Sequence, residues 1–145
     1  MISCTTDDGC FIVFDTRVKD RIFTHNTVKV ELYSHSHIDA DKTLLAYGDA
    51  EIRIFDRRTS KSVSQFVDPN QTSIGHIQYL RERREFVTFG SPTTTVWSMD
   101  KDVTKHRYGY DNQSLGPQVS TSGTFFGMNK LVMSDSLGFI RIFEL

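Results

Sequence analysis

The 145-residue sequence contains little cysteine and has no surplus of positive charge. Its two cysteines, Cys4 and Cys10, are too few for a disulfide framework or, by themselves, for a four-ligand zinc site, so we expect a reduced pair. Lys and Arg number 17 against 18 Asp and Glu, which gives a net charge of −1. A chain with this balance can neutralise few phosphates, which disfavours nucleic acid and anionic membrane as its main partners.

Long apolar runs are also missing, because the longest span only a few residues. This predicts no transmembrane helix. The N-terminal segment MISCTTDDGC has neither the cationic start nor the apolar centre of a secretory signal. Together these features predict a cytoplasmic or nuclear protein. The sequence has no nucleophile elbow, phosphate loop or dinucleotide fingerprint, so we expect no catalytic residue and no cofactor.

An internal repeat is the strongest pattern in the sequence. Each unit has a short apolar stretch, a turn of Gly, Asp, Ser or Pro, and then alternating apolar residues that end at an aromatic. The units are SCTTDDGCFIVFDTR (3–17), LAYGDAEIRIFDRR (45–58), VTFGSPTTTVWSMD (87–100) and VMSDSLGFIRIFEL (132–145). Their aromatics follow one another at intervals of 41, 42 and 46 residues. A sustained period of this length indicates a repeat architecture.

Alternation of apolar and polar residues within each unit predicts β-strands, because successive side chains of a strand point to opposite faces. The chain is therefore expected to be nearly all β, in units of about 1–27, 28–68, 69–112 and 113–145. The predicted strands are 2–6, 10–15, 20–25, 28–33, 43–48, 51–56, 62–67, 74–80, 85–90, 94–99, 103–110, 117–126, 130–134 and 138–144.

The repeat resembles that of WD-repeat β-propellers, whose units of about 40–45 residues end in an apolar-Trp-Asp tripeptide. Here the tripeptides read VFD, IFD, VWS and IFE. The tight-turn Asp of the family is kept as Asp8 and Asp49, and His25 is the candidate for its Gly-His histidine. The resemblance implies a single domain over 1–145: a partial WD-type β-propeller of three to four blades, each a four-stranded antiparallel sheet.

The predicted strands are too few for a closed ring, since propellers have about four to eight blades of four strands. The favoured interpretation is that the chain is part of a longer propeller. The alternative is that a second chain or copy completes the propeller, with strands lent across the seam, because uncovered strand edges promote pairing.

The resemblance implies a non-catalytic scaffold or adaptor that binds other proteins. Two successive units carry aromatic-Asp-x-Arg, ending at Arg17 and Arg58. This is similar to the Trp-Asp-x-Arg box of substrate receptors of cullin-based ubiquitin ligases, in which the Arg lies on the propeller rim and helps to dock the adaptor. That similarity implies that Arg17 and Arg58 bind a partner. The alternative is that each Arg pairs with the Asp before it. The run Arg81–Glu85 alternates in sign and is interpreted as a solvated turn.

The segment SHSHIDAD at 34–41 indicates an alternative function, that of a zinc-dependent hydrolase. It resembles the His-x-His-x-Asp-His box of metallo-β-lactamase-fold hydrolases, with His35, His37 and Asp39 as metal ligands. Imidazoles and a carboxylate at this spacing can bind zinc and polarise a water. Ala40 stands where the box has its third His. The propeller interpretation instead places the whole segment in the loop between the first and second strands of a blade.

Overall fold

A computed structural model of the chain describes residues 1–26, 31–100, 103–111, 120–127, 129–136 and 138–144. This part of the chain consists of strands and turns and has no helix, and so no helix able to cross a membrane. Its strands are β1 (Ile2–Thr5), β2 (Cys10–Asp15), β3 (Asp20–Asn26), β4 (Leu32–His37), β5 (Lys42–Tyr47), β6 (Glu51–Asp56), β7 (Lys61–Val67), β8 (Ser73–Leu80), β9 (Glu85–Ser91), β10 (Thr93–Asp100), β11 (Val103–Asp111), β12 (Ser120–Phe126), β13 (Lys130–Asp135) and β14 (Ile140–Glu144).

The strands form four antiparallel sheets in which each strand pairs with its neighbour along the chain. Sheet 1 contains β1 to β3, sheet 2 contains β4 to β7, sheet 3 contains β8 to β11, and sheet 4 contains β12 to β14. The predicted all-β architecture is confirmed. Short turns suffice for these connections because antiparallel neighbours need no crossover.

A break in the pairing register recurs at the same point of three sheets. It lies immediately before the aromatic of the sequence repeat, between Val13 and Phe14, between Ile54 and Phe55, and between Val96 and Trp97. A β-bulge of this kind bends a strand and increases its local twist. The sequence repeat is therefore also a repeat of backbone geometry.

The first strand of sheet 2 is placed differently from the prediction. The sequence pattern favoured 28–33, of which 28–30 lie outside the described residues, whereas β4 runs from Leu32 to His37 and contains half of the segment expected to be a loop. The hydroxyl groups of Ser34 and Ser36 explain why this polar segment forms a strand. The Ser34 Oγ accepts a hydrogen bond from the Ile77 amide at 3.2 Å, and the Ser36 Oγ accepts one from the Tyr79 amide at 2.9 Å. β4 therefore contacts β8 through side-chain hydrogen bonds.

Three hydrophobic cores lie between the sheets, one at each junction. Sheets 1 and 2 bury Phe11, Val13, Leu32, Leu45, Tyr47 and Phe55. Sheets 2 and 3 bury Leu44, Ala46, Ala50, Ile52, Ile54, Ile74, Ile77, Phe86, Trp97 and Met99. Sheets 3 and 4 bury Val87, Phe89, Val96, Leu131 and Met133. The sheets are therefore stacked in chain order, and each of the two middle sheets is covered on both faces.

Two close contacts illustrate the packing, the first within sheet 3 and the second between sheets 3 and 4. The Trp97 ring stacks on Phe86 with centroids 5.7 Å apart, and its Nε1 donates a hydrogen bond to the Thr88 Oγ1 at 3.0 Å. Gly123 of β12 lies against the Phe89 ring, where an added Cβ would overlap ring carbons. A residue without a side chain is required for sheet 4 to approach sheet 3 this closely.

Candidate protein-interaction edge

Four turns meet at one end of the sheets and form what we call the turn edge, comprising residues 16–19, 38–41, 57–60 and 81–84. Hydrogen bonds connect three of these turns. The Arg57 amide donates to the Asp41 carbonyl at 2.9 Å within sheet 2, and the Arg81 Nη2 of sheet 3 donates to the Ile38 carbonyl of sheet 2 at 3.3 Å. The turn edge therefore joins sheets 2 and 3, with the turn of sheet 1 at the same end.

The Asp after the repeat aromatic closes its turn at two places on this edge. The Asp15 Oδ1 accepts a hydrogen bond from the Arg17 amide at 2.9 Å, and the Asp56 Oδ1 accepts one from the Arg58 amide at 2.8 Å. A carboxylate that accepts backbone N–H groups two residues on stabilises a turn. The acidic residue of the VFD and IFD tripeptides therefore has a local structural role.

Both arginines also bind that same Asp through their side chains. The Arg17 Nη2 lies 2.6 Å from the Asp15 Oδ2, and the Arg58 Nη2 lies 3.4 Å from the Asp56 Oδ2. The hydrogen bonds from Arg17 hold the pKa of the Asp15 carboxyl below its usual value. Pairing with the preceding Asp, the alternative considered for this motif, is therefore present in both units.

The paired guanidinium groups nevertheless face solvent. The side chain of Arg17 is 86% exposed and that of Arg58 is 67% exposed, and Arg58 also lies 3.5 Å from the Asp41 carboxylate. An Asp that holds an exposed guanidinium in one position lowers the entropy lost when a partner binds it. Partner binding by Arg17 and Arg58 stays a prediction.

The histidines of the SHSH segment face sheet 1. The Ser3 Oγ is hydrogen-bonded to the Nε2 atoms of His35 and His37, at 2.7 Å and 2.9 Å. Burial, with smaller effects from His37 and His76, lowers the pKa of His35 to about 4. His35 is therefore neutral at pH 7. No local signal in the sequence pointed to Ser3 as its partner, because the two residues are 32 positions apart.

Asp39, the third residue of the zinc hypothesis, lies in the turn that follows β4. Its Oδ1 accepts hydrogen bonds from the amides of Asp41 and Lys42, both at 2.7 Å. Within the described ranges, no three or more His, Cys, Asp or Glu side chains are grouped so as to hold a metal ion. The hydrolase alternative built on His35, His37 and Asp39 stays a prediction, testable by zinc analysis after metal loading.

Two further histidines lie at sheet junctions, one of them His25, the candidate for the Gly-His histidine of the WD-repeat family. His25 of β3 packs on Phe55 of the next sheet, with ring centroids 4.3 Å apart. His76 lies inside β8 and its Nδ1 is hydrogen-bonded to the Ser34 Oγ at 3.0 Å. Each therefore contacts the neighbouring sheet, so both have a structural role at a sheet junction.

Comparison with known proteins shows a likeness of fold but not of sequence. No protein-family profile matches the chain, and no curated protein matches it. The crystal structure of the Cps50 (Swd1) beta-propeller domain of Myceliophteria thermophila is similar over 98% of this chain, with a TM-score of 0.77 and 11% sequence identity. The fold is a partial WD-type β-propeller. The chain spans 47% of that domain.

Sheets 1 to 4 are thus propeller blades 1 to 4, and the turn edge lies at one end of blades 1 to 3. Blades 2 and 3 have four strands, and blades 1 and 4 have three. The bulged strands β2, β6 and β10 occupy equivalent positions in their blades. The Asp–Arg pairs therefore lie at the same turn of two adjacent blades.

Proposed function

We propose that the chain is a non-catalytic protein-interaction scaffold of the WD-repeat type. The turn edge carries this proposal, because adjacent blades present exposed guanidinium groups at equivalent positions on short turns. Loops fixed on a rigid scaffold are well suited to binding, since little entropy is lost in ordering them when a partner arrives.

The more specific proposal is that the chain acts as a substrate receptor of a cullin-based ubiquitin ligase, with Arg17 and Arg58 binding the adaptor. Two observations support it. Each Arg is held by the Asp two residues before it, and each side chain is more than half exposed. Exposed guanidinium groups on adjacent blades fit a partner with carboxylates at a matching spacing.

Charge reversal tests this proposal. We expect Arg17→Glu/Arg58→Glu to abolish pull-down of the ligase adaptor, because both the hydrogen bonds and the attraction to the partner are lost. Arg21→Glu is the control, since Arg21 is exposed on β3 outside the turn edge. Recovery of the adaptor by the double variant at the wild-type level would leave the motif with its structural role alone.

The end faces of the stack support a further partner, a second copy of this chain that completes the propeller. Ile22 is more than half exposed on blade 1, as are Ile140 and Ile142 on blade 4. Since the chain spans 47% of a related propeller domain, two copies hold about the blades of one ring. Blade 1 of each copy would pack on blade 4 of the other, an arrangement that closes after two copies.

A further inference from the structure

Two cavities open along the turn edge and share part of their walls. The first has a volume of about 480 Å³ and the second about 540 Å³. Asp39, Ala40 and Arg81 line both, so the two cavities are adjoining parts of one depression. We call it the basic groove. The other residues that concern its chemistry are Ile2, Val13, His37 and Arg57 in the first cavity and Lys42, Tyr79, Arg84 and Met99 in the second.

Positive charge dominates this groove although the whole chain has a net charge of −1. Four cationic side chains line it: Lys42, Arg57, Arg81 and Arg84. Asp39 is the one acidic residue among the lining residues, and its Oδ1 already accepts two backbone hydrogen bonds. A cleft lined by one sign of charge raises the local concentration of ligands of the opposite sign.

The side chain of Arg57 has a hydrogen-bond donor that could bind an acceptor on a ligand. Its Nε is buried and has no hydrogen-bond acceptor among the described residues. A buried donor without a partner costs free energy, and a guanidinium group binds a carboxylate with more than one N–H. The Arg57 amide is held by the Asp41 carbonyl, which fixes the base of this side chain at the groove.

The groove also has apolar walls. Ile2, which is 60% exposed, lines the first cavity and the half-buried Tyr79 ring lines the second, whereas the lining residues Val13 and Met99 are buried. A free anion would leave Ile2 and the Tyr79 ring exposed to water, whereas a peptide with alternating acidic and apolar side chains would cover them. Ligand sites commonly combine apolar walls with a few polar groups that fix orientation.

We infer that the basic groove binds an acidic peptide segment of a partner protein, with a carboxylate on Arg57 and an apolar side chain against Ile2. This inference rests on the proposed scaffold function and specifies the chemistry of the partner. The site is distinct from Arg17 and Arg58, which lie on the same edge but do not line the groove.

Fluorescence anisotropy with a labelled hexapeptide of alternating Glu and Leu tests the inference. We expect the wild-type chain to bind it, and Arg57→Gln/Arg81→Gln to bind about tenfold more weakly or worse, since two charge-assisted hydrogen-bond donors are lost. The control Arg21→Gln/Lys61→Gln removes the same charge at exposed positions of β3 and β7 outside the groove and should change the affinity by less than about twofold. The matching peptide of Gln and Leu should not bind.

A second double variant separates loss of binding from loss of folding caused by the substitution of Arg57. Arg81→Gln/Arg84→Gln alters exposed positions only and leaves the half-buried Arg57 in place, and we expect it too to weaken binding. Wild-type affinity in both double variants would overturn the inference, and so would equal weakening in the control. Displacement of the peptide by a single-stranded oligonucleotide or by inorganic phosphate at a lower concentration than by unlabelled peptide would also overturn it. None of these results would affect adaptor capture through Arg17 and Arg58, so the two proposals fail separately.

Discussion

At the scale of single residues, histidines at the junctions of blades 1, 2 and 3 make the stability of the fold depend on pH. The pKa of His35 is lowered to about 4 from an ordinary value of 6.5, chiefly by burial. The pKa values of His37 and His76 are lowered as well, again chiefly by burial. Below pH 6.5 these histidines become protonated in the unfolded chain, whereas in the folded chain their lowered pKa values delay protonation to a lower pH. These groups therefore contribute full stability above pH 6.5 and progressively less as the pH falls.

The variant His35→Gln measures this effect. The wild-type free energy of unfolding should fall between pH 6.5 and pH 4 by on the order of 1–2 kcal/mol more than that of the variant, a figure reduced for partial exposure to solvent. Urea unfolding at several pH values provides the comparison. Parallel pH profiles for the two proteins would contradict the prediction.

Some residue roles could be predicted from the sequence and others could not. The importance of Asp15 and Asp56 follows from their fixed place after the repeat aromatic, and both indeed close turns. The Ser3–His35 hydrogen bond joins blades, and periodicity within one strand carries no information about contacts between sheets. The same limit applies to Arg81 and Arg84. In sequence they form a solvated turn of alternating sign, and only the neighbouring turns make them part of a groove.

At the scale of strands, the sequence was most informative where apolar alternation is strong. The boundaries of β2 and β6 match the predicted strands, because Ile, Val and Phe alternate there with polar residues. β4 was placed too early because its last four residues, SHSH, look like a loop by composition. Its hydroxyls bind amides of β8, a stabilising contact that has no counterpart in a local propensity scale.

The contact between Gly123 and Phe89 allows a test of how blade 4 docks on blade 3. We expect Gly123→Val to destabilise the protein by about 1–3 kcal/mol, because the added side chain would force the Phe89 ring or the blade itself to move. The control Thr124→Val alters the next residue of β12, which is exposed on the other face. Urea unfolding of both variants checks the prediction, and equal stability of the two would contradict it.

At the scale of the whole molecule, the sequence period predicted a propeller of three to four blades but not what covers the end blades. We expect light scattering to give a mass of about twice 16.6 kDa, because the outer faces of blades 1 and 4 are apolar and the chain has about half the blades of a ring. Ile140→Asp/Ile142→Asp should give a monomer. Val63→Asp/Val67→Asp, which alters exposed valines of β7 in a middle blade, should not. A wild-type monomer with a sharp melting transition would contradict the proposal.

The three cores share no residue, and each joins only two neighbouring blades. In such an arrangement cooperativity is carried from neighbour to neighbour, so opening can begin at either extremity and stop short of the centre. Amide hydrogens of β5 and β6 should consequently exchange with deuterium more slowly than those of β1 or β14. The two middle blades would then stay folded while blades 1 and 4 open and close. Blades 1 and 4 also carry the surfaces at which another chain would join.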